Sequence, residues 1–182
     1  MSNKKTSHLG TIVSLVVCLL IIVGFCMVFT NNYFYSEASA LGITGKACYP
    51  GLAIVFGGTH DVTIVLSASG SSGSVAQSFS FAFNTIGCIA LLLPVLGVIL
   101  GLLGNFVFKK SKLVAFISFA LILAGTIMVF FVLNGYALAN STDDYKIDVG
   151  DYKWGATYII TVVCYILATL GSGFGLLTSS KK

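Results

Sequence analysis

The 182-residue chain contains no arginine; all ten of its basic residues are lysines. Arginine is the side chain best suited to bidentate contacts with phosphate and carboxylate. Its absence argues against phosphate or nucleic-acid recognition. Charge of either sign is scarce. Only 9% of residues are charged, against roughly 25% in soluble domains. No Cys-x-x-Cys pair is present, which disfavours a four-helix thiol oxidoreductase. No phosphate-cradling loop of the P-loop type occurs. No motif brings a serine, a base and an orienting acid together as hydrolysis requires. The sequence therefore implies a non-enzymatic protein, and nothing in it calls for a cofactor or a metal.

What is abundant is apolar surface. Hydrophobic residues make up 57% of the chain and the mean hydropathy is +0.98. A water-soluble chain of this length could not hide so much in one core. Four stretches stand out, at about 9–29, 81–108, 113–133 and 156–177. None contains Asp, Glu, Lys, Arg or His. Each meets the requirement of about 20 apolar residues for a membrane-spanning helix. The expected fold is thus an all-α four-transmembrane-helix bundle, one integral membrane domain over 1–182, whose first partner is the lipid bilayer. Asp, Glu, Lys, Arg and His within the membrane mark proton relays, ion paths and voltage sensors. Their absence argues against proton-coupled transport and against small multidrug exporters built on a buried carboxylate. A passive pore lined by backbone or hydroxyl groups remains compatible.

The lysines set the orientation. Lys4 and Lys5 precede the first stretch, Lys109, Lys110 and Lys112 fill the turn between the second and third, and Lys181 and Lys182 end the chain. These segments carry no acid. The other two loops carry Lys46, Lys146 and Lys153 against Glu37, Asp61, Asp143, Asp144, Asp148 and Asp151. Lysine-rich short segments stay cytoplasmic. Both termini are therefore expected inside a plasma or cytoplasmic membrane, with loops 30–80 and 134–155 outside. Ala38-Ser39-Ala40 resembles a signal-peptidase site. A signal peptide, however, has an apolar region of roughly 7–15 residues with cleavage close behind it; here the run is longer and the small residues lie well past its end.

The first outer loop is too long for a plain connection and reads as a small β-element. Leu52–Phe56 and Val62–Leu66 are short runs rich in β-branched residues, separated by the turn residues Gly57–Asp61. This pattern predicts a hairpin. Ser67–Ser74 reads as a flexible bridge, and Val75–Phe79 as a third strand. Cys48, Leu52, Phe56, His60 and Asp61 are the candidate interaction residues of this loop. Of the five cysteines, Cys18, Cys26, Cys88 and Cys164 fall in apolar stretches and read as small buried hydrophobes. Cys48 alone lies in an outer loop, where it is either free, paired between chains or modified. His60 beside Asp61 reads as a solvated turn rather than an acid–base pair, and His8 is remote from it.

The second outer loop is polar and acidic. Tyr152 and Trp154 precede the fourth stretch, where an interfacial aromatic anchor is expected. The acids Asp143, Asp144, Asp148 and Asp151 lack the EF-hand spacing of a calcium loop. Asn140-Ser141-Thr142 fits the N-glycosylation pattern.

Small residues form the remaining pattern. Gly97, Gly101 and Gly104 in the second stretch, and Gly171, Gly173 and Gly175 in the fourth, let helix backbones approach closely in lipid. The sequence leaves open whether Gly97 and Gly101 meet a helix of this chain or of another, so a homo-oligomer or a partner membrane protein both stand. Pro94 predicts a kink, its freed carbonyl taken up by a neighbour. Asn84 and Asn105 near the ends of that stretch, and the hydroxyls of Thr157, Tyr158, Thr161 and Tyr165, are candidates for hydrogen bonds across helices.

The layout is similar to that of claudin-like tetraspan proteins: a short inner N-terminus, a β-rich first outer loop of about this size, a tight inner turn and a shorter second outer loop. The claudin signature in the first loop is Trp, then Gly-Leu-Trp, then two cysteines. Gly51-Leu52 echoes it. Ala53 stands where Trp would follow, no cysteine lies between Cys48 and Cys88, and the one Trp, Trp154, is in the other loop. The resemblance spans the chain as a layout only, and layout does not carry function. Two readings follow. The first is an accessory, scaffold or adhesion-type component acting through its outer loops; the alternative is a transporter or channel component that oligomerises through glycine-rich helix faces.

Overall fold

The computed structural model describes residues 2–40, 42–68, 71–106 and 111–179. Its helices follow the apolar stretches. Helix α1 runs Ser2–Cys26 and continues into a single 3-10 turn, Met27–Phe29; α3 spans Thr85–Phe106, α4 Lys112–Val129 and α6 Ala156–Ser179. These four are long and apolar enough to cross a membrane, over Gly10–Phe29, Thr85–Gly104, Lys112–Val129 and Ala156–Leu177. Two short helices, α2 (Gly51–Phe56) and α5 (Val132–Asn140), complete the helical set. Strands β1 (Phe34–Ala40), β2 (Ile43–Tyr49), β3 (Gly58–Ala68), β4 (Ser71–Phe81) and β5 (Tyr152–Trp154) form one antiparallel sheet in the order β4-β3-β2-β1-β5.

The chain divides into two compact units. One comprises Met1–Phe25, Ile89–Phe130 and Val162–Lys182; the other comprises Cys26–Cys88 and Phe131–Thr161.

In the first unit, close backbone approach organises the helices. A Cβ on Gly97 would fall 2.7 Å from Ile122 Cγ1 and 2.9 Å from the Ser118 carbonyl, one on Gly101 2.7 Å from Ser118 Oγ, and one on Gly104 2.9 Å from Val114 Cγ1. The glycine face of α3 is therefore filled by α4 of the same chain. A Cβ on Gly171 would meet Val17 of α1 at 2.8 Å, one on Gly173 would meet Phe119 at 3.3 Å, and one on Gly175 would reach Val13 only at 3.9 Å. Gly125 of α4 is tighter than any of these, because a Cβ there would overlap the Pro94 ring. The carbonyl of Ala90, four residues before Pro94, lies beside the same point. Proline removes the donor that would have served that carbonyl, and Gly125 is the neighbour that lets α4 close over the site. Ser118 Oγ donates to Gly97 O at 2.6 Å, and Thr126 Oγ1 lies 2.8 Å from Thr169 Oγ1 and 3.2 Å from Tyr165 O. Of the α6 candidates, Thr157 Oγ1 donates outside its helix to Asn32 O at 2.7 Å, whereas Thr161 Oγ1 donates to Thr157 O in its own helix at 3.0 Å; both belong to the second unit.

The second unit departs from expectation in five places. Leu52–Phe56 is helix α2, not a strand. Apolar periodicity cannot separate a short buried helix from a strand, and the punctuation decides. Pro50 precedes the first turn and Gly57, with φ 66°, ends it, the usual proline-start, glycine-stop asymmetry. A Cβ on Gly57 would also lie 2.8 Å from the Ala82 carbonyl. Gly57–Asp61 is consequently no hairpin turn, since β3 already begins at Gly58. The bridge 67–74 is not a linker either: Ser67–Ala68 and Ser71–Ser74 are paired strand, with Ala68 opposite Ser71. Val62–Leu66 and Val75–Phe79 are strand, inside the longer β3 and β4. Finally, the third apolar stretch ends as a helix at Val129, and α5 restarts at Val132 and occupies the first part of segment 134–155. The second stretch likewise starts later than expected, because Phe81 belongs to β4. Lys109, Lys110, Lys181 and Lys182, and the side chains of Lys4, Lys5, His8 and Asn105, lie outside the described residues.

Candidate interaction surface

The sheet joins the two segments 30–80 and 134–155. Strands β1 to β4 come from the first and β5 from the second, with Phe34 opposite Trp154 and Ser36 opposite Tyr152. Residues directly opposite one another share a face, so the register sorts the side chains. One face carries Phe34, Ser36, Tyr49, Val62, Ile64, Val75, Tyr152 and Trp154. The other carries Tyr35, Glu37, Lys46, Cys48, Asp61, Thr63 and Lys153.

The apolar face is buried at one end and open at the other. At the buried end Phe34, Tyr33 and Tyr158 pack ring against ring, with centroids 4.5–5.4 Å apart, and Trp154 lies 5.4 Å from Tyr158. Beside them Tyr136 of α5 meets Phe81 and Tyr152, and Tyr152 meets Tyr49. Tyr49 Oη lies 3.4 Å from Ser36 Oγ. Burial pushes the Tyr136 phenol up to about 12 and raises that of Tyr152 further. Towards the other end Ile43 (47%), Leu66 (46%) and Val75 (58%) are exposed, and Phe79 (41%) is exposed on the edge strand beside Phe81.

The polar face carries the charges. Lys153 and Glu37 form an ion pair; their hydrogen bond lowers the carboxyl and raises the ammonium from their usual values. Lys46 Nζ sits 3.9 Å from the centre of the Tyr35 ring.

One buried polar residue ties the segments together. Asn84 has no exposed surface. Its Oδ1 accepts the Gly87 N–H at 3.0 Å, capping α3, while Nδ2 donates to Ile54 O at 3.0 Å and Val132 O at 2.8 Å. Glycine makes the room: a Cβ on Gly135 would overlap Asn84 Oδ1, and one on Gly87 would lie 2.9 Å from Nδ2. Sequence reasoning marked Asn84 as a hydrogen-bond former; its partners in α2 and α5 depend on long-range folding.

The five candidate residues of the first loop are not gathered into one site. Cys48 is half-buried in β2, opposite Tyr35 and Thr63. Leu52 and Phe56 are half-buried on α2. His60 and Asp61 are on opposite faces of β3; His60 Nε2 is 2.9 Å from Gly57 O, while Asp61 accepts from Ser78 Oγ. All five cysteines are free thiols. No group of three or more His, Cys, Asp or Glu able to hold a metal occurs among the described residues. In the second segment Asp148 accepts the Gly150 N–H at 2.8 Å, a local turn. Asn140 is engaged by the fold, since Oδ1 accepts the Ala82 N–H at 2.7 Å and Nδ2 donates to Tyr136 O at 3.0 Å. The residues sequence reasoning missed are those of β1 and β2 and the first four of β4, whose serine- and glycine-containing sequences carry weak strand signals.

No protein-family model matches the chain, and no curated protein matches it in sequence.

Proposed function

We propose that this chain is a four-span integral membrane protein with both termini cytoplasmic, and that it works without catalysis, as an accessory, scaffold or adhesion-type component. Its working surface is the sheet built from its two outer segments. The observation that carries this reading is that the two segments share one ordered sheet, β5 pairing with β1, with exposed apolar side chains at Ile43, Leu66, Val75 and Phe79. Exposed apolar patches on a structured element mark contact sites. The claudin-like layout supports the same reading, as does the lysine asymmetry that assigns these segments to the outside. The transporter or channel reading has less support, because the α3 glycines that would have paired chains already face Ser118 and Ile122.

Two measurements test the proposal. Ser74→Cys, on the exposed β4, is expected to react with a membrane-impermeant thiol reagent in intact cells beyond the wild-type background. Labelling only after permeabilisation overturns the orientation. Purified protein in liposomes is expected to pass no solute, and measurable flux overturns the non-transport reading.

A further inference from the structure

We propose that β4 is a self-recognition strand, pairing antiparallel with β4 of a second copy about a two-fold axis at Ala76, so that the two sheets become one. The inference rests on the reading that the outer segments act by contact, and it names the partner. Strand β4 lies at the sheet edge, bonded only to β3. Ser71–Ser80 are all exposed and Phe81 is half-buried. The β3–β4 register runs without a bulge from Gly58 opposite Phe81 to Ala68 opposite Ser71. In an antiparallel ladder alternate residues direct both backbone groups away from the partner, so half of this 11-residue strand offers N–H and C=O groups outward.

Native sheets guard long edges with charge, proline, bulges or shortness. Residues 71–81 hold no charge and no proline. The opposite edge is guarded: β5 is only three residues long and carries the Lys153–Glu37 pair. The sequence of β4 also complements itself. With Ala76 opposite Ala76, every residue from Ser71 to Phe81 is paired. Ser74 then faces Ser78 and Ser72 faces Ser80, cross-strand hydroxyl pairs that favour association. Val75 faces Gln77, and Phe79 covers Gly73, the arrangement in which an aromatic ring shields a strand glycine. No like charges meet. A lipid surface cannot satisfy backbone donors and acceptors, whereas an identical strand can.

The test uses the full-length chain in its membrane. Directly opposed Cβ atoms lie about 4.5–5.5 Å apart, so Ala76→Cys is expected to crosslink into a dimer under mild oxidation or with a short thiol crosslinker, well above the wild-type background. Ser72→Cys alone is expected to stay monomeric, and to crosslink when co-expressed with Ser80→Cys. Ala76→Asp places two carboxylates face to face and is expected to abolish the dimer while leaving Trp154 emission and thermal unfolding unchanged. Crosslinking of Ala76→Cys no greater than wild type, a product of a different mass, or a dimer retained by Ala76→Asp would each overturn self-pairing. None of these bears on solute flux, so the non-transport reading fails or stands separately.

Discussion

Asn84 offers the sharpest test of how segments 30–80 and 134–155 are held together. Replacing it with alanine removes three hydrogen bonds at once. Loss of the helix cap on α3 costs about 1 kcal/mol. The Ile54 carbonyl belongs to the last turn of α2 and has no helical partner there; leaving it buried and unpaired costs about 1–3 kcal/mol. The Val132 carbonyl begins α5 and keeps its own helical partner, so its loss adds little. The expected destabilisation is about 2–4 kcal/mol, read by denaturant titration in mixed micelles with Trp154, the only tryptophan, as the probe. Asn134→Ala, at an exposed position of α5, is the control and is expected to stay within about 0.5 kcal/mol of wild type. Asn84→Asp sharpens the test. It keeps the cap but turns an acceptor toward two carbonyls, so it is expected to be worse than alanine at neutral pH and to recover partly in acid, where the protonated carboxyl can donate one bond. An Asn84→Ala variant as stable as the control would show that this residue does not hold the segments together.

Other perturbations separate the remaining contributions. Gly97→Leu drives a side chain into Ser118 and Ile122 and is expected to destabilise the single chain by about 1–3 kcal/mol or more without changing its oligomer distribution by detergent sizing; loss of an oligomer at unchanged stability would place that face between chains instead. Ser118→Ala removes only one cross-helix bond and is expected to cost about 0.6 kcal/mol, the average for such bonds in membrane proteins, by the same titration. Alkali is expected to loosen the aromatic cluster. A tyrosine in the unfolded chain ionises near pH 10, whereas Tyr136 is held to about 12. Its contribution is therefore intact below about pH 10 and lost as pH rises toward about 12. Tyrosinate absorbance should show late-titrating tyrosines, and Tyr136→Phe should lower the late amplitude by one of them; a single step near pH 10 would contradict the buried cluster.

Much of the helical frame was legible because it depends on local composition. A run of about 20 apolar residues without charge forms a helix in lipid whatever its neighbours do, since only internal bonding satisfies its backbone there. Helices α1, α3, α4 and α6 follow their stretches to within a few residues for that reason. The end of α4 is the exception. Leu113–Leu133 is apolar throughout, and its break at Val129 is visible only once Asn84 is seen beside Val132.

Segments 30–80 and 134–155 were less legible because their structure is set by pairing. Helix α2 hid in a run that reads equally well as a strand, and only Pro50 and Gly57 pointed the other way. Ser67–Ser74 has the composition of a linker, yet it is strand because β3 lines up with β4. The mate of β1 at the sheet edge, β5, lies more than a hundred residues away, and no local pattern announces that partnership. Sequence alone thus determined that this chain has four segments apolar enough to cross a membrane and an uncharged interior, because hydropathy and charge are properties of each residue in turn. Tertiary structure decided that segments 30–80 and 134–155 form one sheet and that the α3 glycines face α4. It also left β4 as an open edge. Strand register and helix packing are properties of pairs of residues distant in the chain.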